Sequence, residues 1–313
     1  MKRTLKFLLR TLLVLFVLIN VIVAFHAYKF THFYNNGEIN IKKQEDKTGW
    51  DKTQEILFGI NAQKKKNEAP DTSYQTVFLV TKDSLKLEAW YISVVNAKGT
   101  VCLFHGHGGS KGGVNKEAES FRNMGYNTFQ LDFRAHGNSE GNTCTIGYNE
   151  SEDVKLAYDY ITGKGEKNIV LWGISMGAST ITKAIFDYNL QPSKIILEMP
   201  FGTISDAVEG RLKIMGLPAQ PIGTLLTFWG GVEHGFWAFS MKPEEFAKKI
   251  NCPTLLQWGK NDPRVGRMEE DILFGNIAVH NKKFVIYDSC MHESLCKKET
   301  IKWNTEVSAF LHE

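Results

Sequence analysis

Hydrophobic and polar positions divide the chain into three stretches of different rhythm. The first thirty residues, MKRTLKFLLRTLLVLFVLINVIVAFHAYKF, place basic side chains at Lys2, Arg3, Lys6 and Arg10, then no Asp, Glu, Lys or Arg from Thr11 to Tyr28. A helix of that run is roughly 27 Å long, close to the hydrocarbon thickness of a bilayer. Ala24 and Ala27 near its end lack the small-x-small spacing of a cleavage site. Residues 1–30 are therefore expected to be an uncleaved transmembrane anchor rather than a cleaved signal. The basic residues precede the span and only Lys29 follows it closely, which predicts a cytoplasmic N-terminus and the bulk of the chain on the non-cytoplasmic (periplasmic or extracytoplasmic) side. Residues 31–73 are polar and rich in turn formers and read as a stalk, with one apolar piece, Ile56-Leu57-Phe58, expected against the domain or the membrane surface.

From Tyr74 the rhythm changes. YQTVFLVT and LKLEAWYISV alternate around Lys82-Asp83-Ser84 and predict a β-hairpin. Short apolar runs then predict strands at Thr100–Phe104, Asn127–Leu131, Ile169–Trp172, Lys194–Leu197, Thr254–Trp258 and Phe284–Tyr287. Between them, helical spacing predicts helices near Asn115–Met124, Glu150–Thr162, Met176–Tyr188 and Val265–Phe274, and a last one near Ser294–Leu311. Strands without polar faces that alternate with helices predict an α/β domain over residues 74–313. Its sheet is mostly parallel and covered on both faces, with the hairpin as the antiparallel edge. Residues 201–249, rich in Gly, Pro and aromatics, are too long for a simple connection. A cap over a site is expected there, with core-extending helices as the alternative.

The chain has 313 residues, 43% hydrophobic and 23% charged, with a formal net charge of +3. That is enough for one sizeable core. The scattered basic residues give no argument for a nucleic-acid partner. The five cysteines show no zinc spacing; Cys102 reads as a small buried hydrophobe, and Cys290 and Cys296 either pair or stay free thiols. GHGGSKGG lacks a dinucleotide-binding spacing. Neither a metal nor another cofactor is expected.

The chemistry centres on NIVLWGISMGASTITKAI. Gly173-x-Ser175-x-Gly177 between a strand and a helix fits a nucleophile elbow, in which the tight turn lifts the serine above the sheet and the helix N-terminus faces a developing oxyanion. Here the chain resembles the α/β-hydrolase superfamily, in its serine esterase, lipase and serine-aminopeptidase-like branch, from about Tyr74 to the C-terminus. The resemblance implies an eight-stranded sheet. It also implies that HGHGG, His105 to Gly109, supplies one oxyanion amide, the N–H of His107, beside that of Met176. DFRAHGNSEG, Asp132 to Gly141, resembles a loop of the family that is mostly structural.

A serine needs a base, and the base needs a carboxylate to hold its tautomer. The chain order of this fold is serine, acid, histidine. Of the nine histidines, only His292, between the last strand and the last helix, has that topology. The acid is expected to be Asp262, just past Thr254–Trp258, with Glu198 at the end of KIILE as a competitor. The expected reaction is cleavage of a small-molecule acyl ester through an acyl-enzyme. Amide or peptide cleavage is the second reading, and a non-catalytic binding module of the same fold the third. Leu225, Leu226, Phe228, Trp229, Phe236, Trp237 and Phe239 either line an acyl pocket or bury themselves against the sheet.

Overall fold

The computed structural model describes residues 2–34, 48–59 and 62–313. In chain order the strands are β1 Gln75–Val80, β2 Lys86–Ile92, β3 Thr100–Phe104, β4 Asn127–Leu131, β5 Ile169–Ile174, β6 Lys194–Glu198, β7 Thr254–Gly259 and β8 Lys282–Tyr287. They form one eight-stranded sheet in the order β1-β2-β4-β3-β5-β6-β7-β8. β1 and β2 pair antiparallel, as do β2 and β4, and all the remaining pairs are parallel. Burial follows position in the sheet. Every residue of β3, β4 and β7 is buried, whereas edge strand β1 alternates. Continuous apolar strands are what a sheet covered on both faces requires.

The helices are α1 Lys2–Thr31, α2 Gly49–Phe58, α3 Asn115–Asn123, α4 Glu150–Gly163, α5 Met176–Tyr188, α6 Ile204–Ile214, α7 Ile222–Glu233, α8 Pro243–Phe246, α9 Arg267–Asn276, α10 Leu295–Lys298 and α11 Thr300–His312. One face of the sheet packs Phe104, Leu171 and Leu197 with Val154, Ala157 and Ile181 of α4 and α5. The other packs Leu103, Trp172 and Ile196 with Phe121 of α3 and Trp303 and Phe310 of α11. α5 is buried from Met176 through Ile185, so its small residues (Gly177, Ala178, Ser179) let it lie close to β5 and α4.

Three expectations need correction. The last helix is two, because Glu299 leaves helical geometry (φ −121°, ψ 59°) and its carboxylate turns back to accept from the amide and hydroxyl of Ser289. The helix expected from Val265 starts at Arg267, because the Asp262 carboxylate holds the amides of Arg264 and Val265 in a turn. The described part of the expected stalk is not a free tether. Phe33 N–H donates to Asn142 O at 2.7 Å and Cys144 N–H to Thr31 O at 2.8 Å. Asn67 bonds both Asp132 and the amide of Gly112. Leu57 and Phe58 of α2 are exposed. Residues 35–47, 60 and 61 of that stretch lie outside the described residues. Cys290 and Cys296 are both buried free thiols, and burial pushes each up to about 12.

α1 is long and apolar enough to cross a membrane. Its first turns stand clear of the domain, with Leu12, Leu13 and Phe16 among many exposed apolar side chains, while Val23, Ala27 and Thr31 form a buried stripe. That stripe faces α7, which in turn packs on α6.

Candidate active site

β5 ends in a turn that no other pair of residues would permit. A side-chain carbon at Gly173 would sit 2.6 Å from the Gly177 carbonyl carbon, and one at Gly177 would sit 2.2 Å from Phe104 O. Ser175 between them takes φ +54°, ψ −119°, a strained conformation for a residue with a side chain, costing about 1–3 kcal/mol. The turn is held by Ser175 N–H donating to Glu198 O at 2.7 Å and by Ser179 N–H donating to Ser175 O. The strain therefore rests on two neighbouring elements, β6 and α5.

His292 reaches this serine from the loop after β8. Its Nε2 is 2.9 Å from Ser175 Oγ, and its Nδ1 is 2.6 Å from Asp262 Oδ2. In the tautomer protonated at Nδ1, the ring donates to the carboxylate and accepts from the hydroxyl. The Asp262 carboxyl is fully buried and His292 nearly so. The two loops are locked together, Lys260 N–H donating to Tyr287 O and Asn261 N–H to Cys290 O. With its other oxygen Asp262 accepts from Arg264 N–H at 2.7 Å and Val265 N–H at 3.0 Å.

The other expected residues divide. Gly106 lies against the serine, a side-chain carbon there falling 3.4 Å from Ser175 Cβ, and His107 follows in the same turn. Among the described residues neither the His107 nor the Met176 amide donates to a turn or loop carbonyl. Glu198, in contrast, turns away. Its Oε1 accepts from Trp172 Nε1 at 2.9 Å and Trp303 Nε1 at 2.6 Å. Burial, with Glu117 nearby, pushes it up to about 8.

His105 and His136 tie the surrounding loops together. His105 Nε2 accepts from Phe133 N–H and His136 Nε2 from Gly108 N–H. Burial lowers the pKa of His105, His107 and His136 alike and keeps the rings neutral. The Asp132–Gly141 loop is anchored by buried ion pairs, Lys111 with Asp132 at 2.5 Å and Arg134 with Asp153 at 2.6 Å.

The family described as "Serine aminopeptidase, S33" matches residues 95–230. An esterase structure from Pyrococcus furiosus, Pf2001, superposes with a TM-score of 0.64 at 20% identity, covering 80% of this chain and 97% of that one. The chain has the α/β-hydrolase fold. Its curated relatives include the lysophosphatidylserine lipase ABHD12 of Danio rerio, 26% identical over 186 residues, covering 55% of this chain and 46% of the relative. The membrane protein YNL320W of Saccharomyces cerevisiae is 27% identical over 146 residues, covering 45% and 51%. The chain thus spans about half the length of these curated relatives.

Sequence reasoning missed how α1 and α6 approach this candidate site. Phe30 stacks on the His107 ring with centroids 4.8 Å apart, and Phe33 meets the same ring edge-on. Arg211 of α6 and Arg264 both lie near enough to His107 to disfavour its charged form. Burial first, and then Arg264, hold the Arg211 guanidinium below its usual range, while Glu55 acts the other way. One signal for α1 was visible: Asn20 is a lone amide inside an apolar run, and its Oδ1 accepts from Trp229 Nε1 of α7 at 3.0 Å. Of the seven apolar side chains in the insertion, Leu226 and Phe236 line a cavity. Phe228 and Trp237 are exposed.

Proposed function

We propose that the protein is a serine hydrolase that cleaves acyl esters through Ser175, His292 and Asp262. The observation that carries this reading is His292 hydrogen-bonded to Ser175 through one ring nitrogen and to Asp262 through the other. As Ser175 Oγ attacks the ester carbonyl carbon, its proton passes to His292 Nε2, and Asp262 stabilises the imidazolium. The carbonyl oxygen becomes an oxyanion held by the amides of His107 and Met176. Collapse breaks the bond to the alcohol, which leaves with the proton from His292. A water then gives its proton to His292, attacks the acyl-serine and frees the acid, and Ser175 Oγ recovers the proton. Every group this sequence needs belongs to the chain itself.

An ester rather than an amide is favoured by the apolar surroundings contributed by α1, α6 and α7. The esterase and lipase among the similar proteins support the same reading. The exposed apolar length of α1 supports a single-pass anchor, with the basic N-terminus cytoplasmic and the hydrolase domain on the other side. Purified full-length protein is expected to hydrolyse p-nitrophenyl esters and to leave aminoacyl p-nitroanilides untouched. Anilide cleavage that exceeds ester cleavage in kcat/KM would favour the peptidase reading. No turnover of either by folded protein would favour a binding module. Protease protection of the domain in sealed inverted vesicles tests the orientation, since a cytoplasmic domain would be digested.

A further inference from the structure

A cavity of about 310 Å³ lies between α1 and the insertion, within the size range of small-ligand sites. One wall is α1 itself, through Ile19, Ile22, Val23, Ala27 and Phe30. Val208, Leu212 and Leu226 of α6 and α7 face it. Phe30 lines the cavity and also stacks on His107, whose neighbour Gly106 lies against Ser175.

The depth of these positions matters. The charge-free run of α1 extends from Thr11 to Tyr28, and the cavity begins at Ile19. At about 1.5 Å per residue, Ile19 to Tyr28 rises roughly 14 Å, which is about one leaflet of a hydrocarbon core. The wall therefore sits at the depth of the leaflet next to the domain. α7 continues the same surface with Phe228 and Val232 exposed. Glu55, Arg211 and His234 also line the cavity, but its surface is mostly apolar, and apolar chain is what such a wall favours.

We infer that α1 is a wall of the substrate site: the acyl chain of a single-chain lipid ester lies between α1 and helices α6 and α7, having entered from the adjoining leaflet, with its ester directed past Phe30 to Ser175. This rests on the esterase reading. In it the anchor selects substrate as well as tethering the enzyme, and chain length is read by residues outside the hydrolase sheet.

The test uses full-length protein in liposomes, with Val23→Trp on one wall and Leu226→Trp on the other. The quantity read is the ratio of kcat/KM for a palmitoyl to that for a butyryl monoacyl ester. Filling space that several methylenes would occupy is expected to lower this ratio about tenfold in each variant. Val14→Trp, on α1 but away from the cavity, should leave it at the wild-type value. An unchanged ratio in both cavity variants overturns the inference, and so does an equal fall for the two chain lengths. A second measurement does not depend on hydrolysis. A palmitoyl monoacylglycerol with a diazirine near the chain terminus, photolysed with the Ser175→Ala protein, is expected to label peptides of α1 residues 19–30 and of α6–α7. Labelling spread evenly over the lipid-facing surface of α1 contradicts the site. Ester turnover that is absent while this labelling is present sinks the esterase reading and leaves the chain-binding site standing.

Discussion

Two regions of this molecule carry the two halves of its proposed function, and they are built in opposite ways. The Ser175–His292–Asp262 constellation sits just past strand ends of a sheet whose central strands are buried. The three side chains hydrogen-bond one another, Asp262 also accepts from the Arg264 and Val265 amides, and the backbones that carry them are tied to neighbouring elements. The layer of α1, α6 and α7 is held mainly by apolar contact along helix faces, with the Asn20–Trp229 hydrogen bond a specific tie between α1 and α7. Chemistry demands positions fixed to fractions of an ångström, which rigid elements supply. Holding an acyl chain demands shape and depth, which sliding helices can adjust. The comparison teaches that substitutions in the first region should change rate for every substrate, while those in the second should change which substrate is used.

The sharpest way to break that division is at the triad. Ser175→Ala and His292→Ala are each expected to remove about a millionfold in kcat, and Asp262→Asn about ten thousandfold, whatever the acyl chain. Steady-state kinetics on short and long esters reads this. An Asp262→Asn enzyme with full activity, alongside an inactive Glu198→Gln, would move the acid to the other carboxyl.

Glu198 itself should govern stability rather than turnover. Its folded pKa is raised to about 8 against 4.5 in the unfolded chain. The folded state therefore keeps a proton that the unfolded state loses. The associated stability is complete below the unfolded value and is lost as pH climbs through the folded one. Urea midpoints of the wild type should fall between about pH 5 and pH 8, by up to about 4–5 kcal/mol in stability. Glu198→Gln should flatten that fall, and a Gln variant with the wild-type slope would place the titration elsewhere.

Substrate discrimination should respond to Arg211. Arg211 lines the cavity with Arg264 close by and Glu55 as the opposing charge, and an ester with an anionic headgroup is expected to gain there. Arg211→Gln is expected to cost such an ester about tenfold in kcat/KM relative to a neutral one. Equal losses for both headgroups would make Arg211 a packing residue. The smallest effect belongs to the helix layer. Trp229→Phe deletes the bond to Asn20 and should cost about 0.6 kcal/mol, read as a melting shift of about 1–2 °C in detergent.

The same contrast explains what the sequence could reveal. β3 and β4 have the bounds that the sequence predicts, and both are buried along their whole length. Ser175, Asp262 and His292 were legible because the fold puts each at a strand end with a recognisable turn. Glu299, which splits the last helix, looks like any helical glutamate until the Ser289 loop it binds is known. The approach of α1 to the site was hidden for the same reason. Apolar residues facing lipid and apolar residues facing another helix are chemically alike, and only Asn20 marked the packed side.

The central claim is that Ser175 is a nucleophile activated by His292. Full-length protein treated with a fluorophosphonate and analysed by peptide mass should carry one adduct, on Ser175. The rate of its formation should collapse in His292→Ala while the protein stays folded. A folded wild-type enzyme that takes up no adduct, or one that is modified just as fast without the imidazole, would contradict the account.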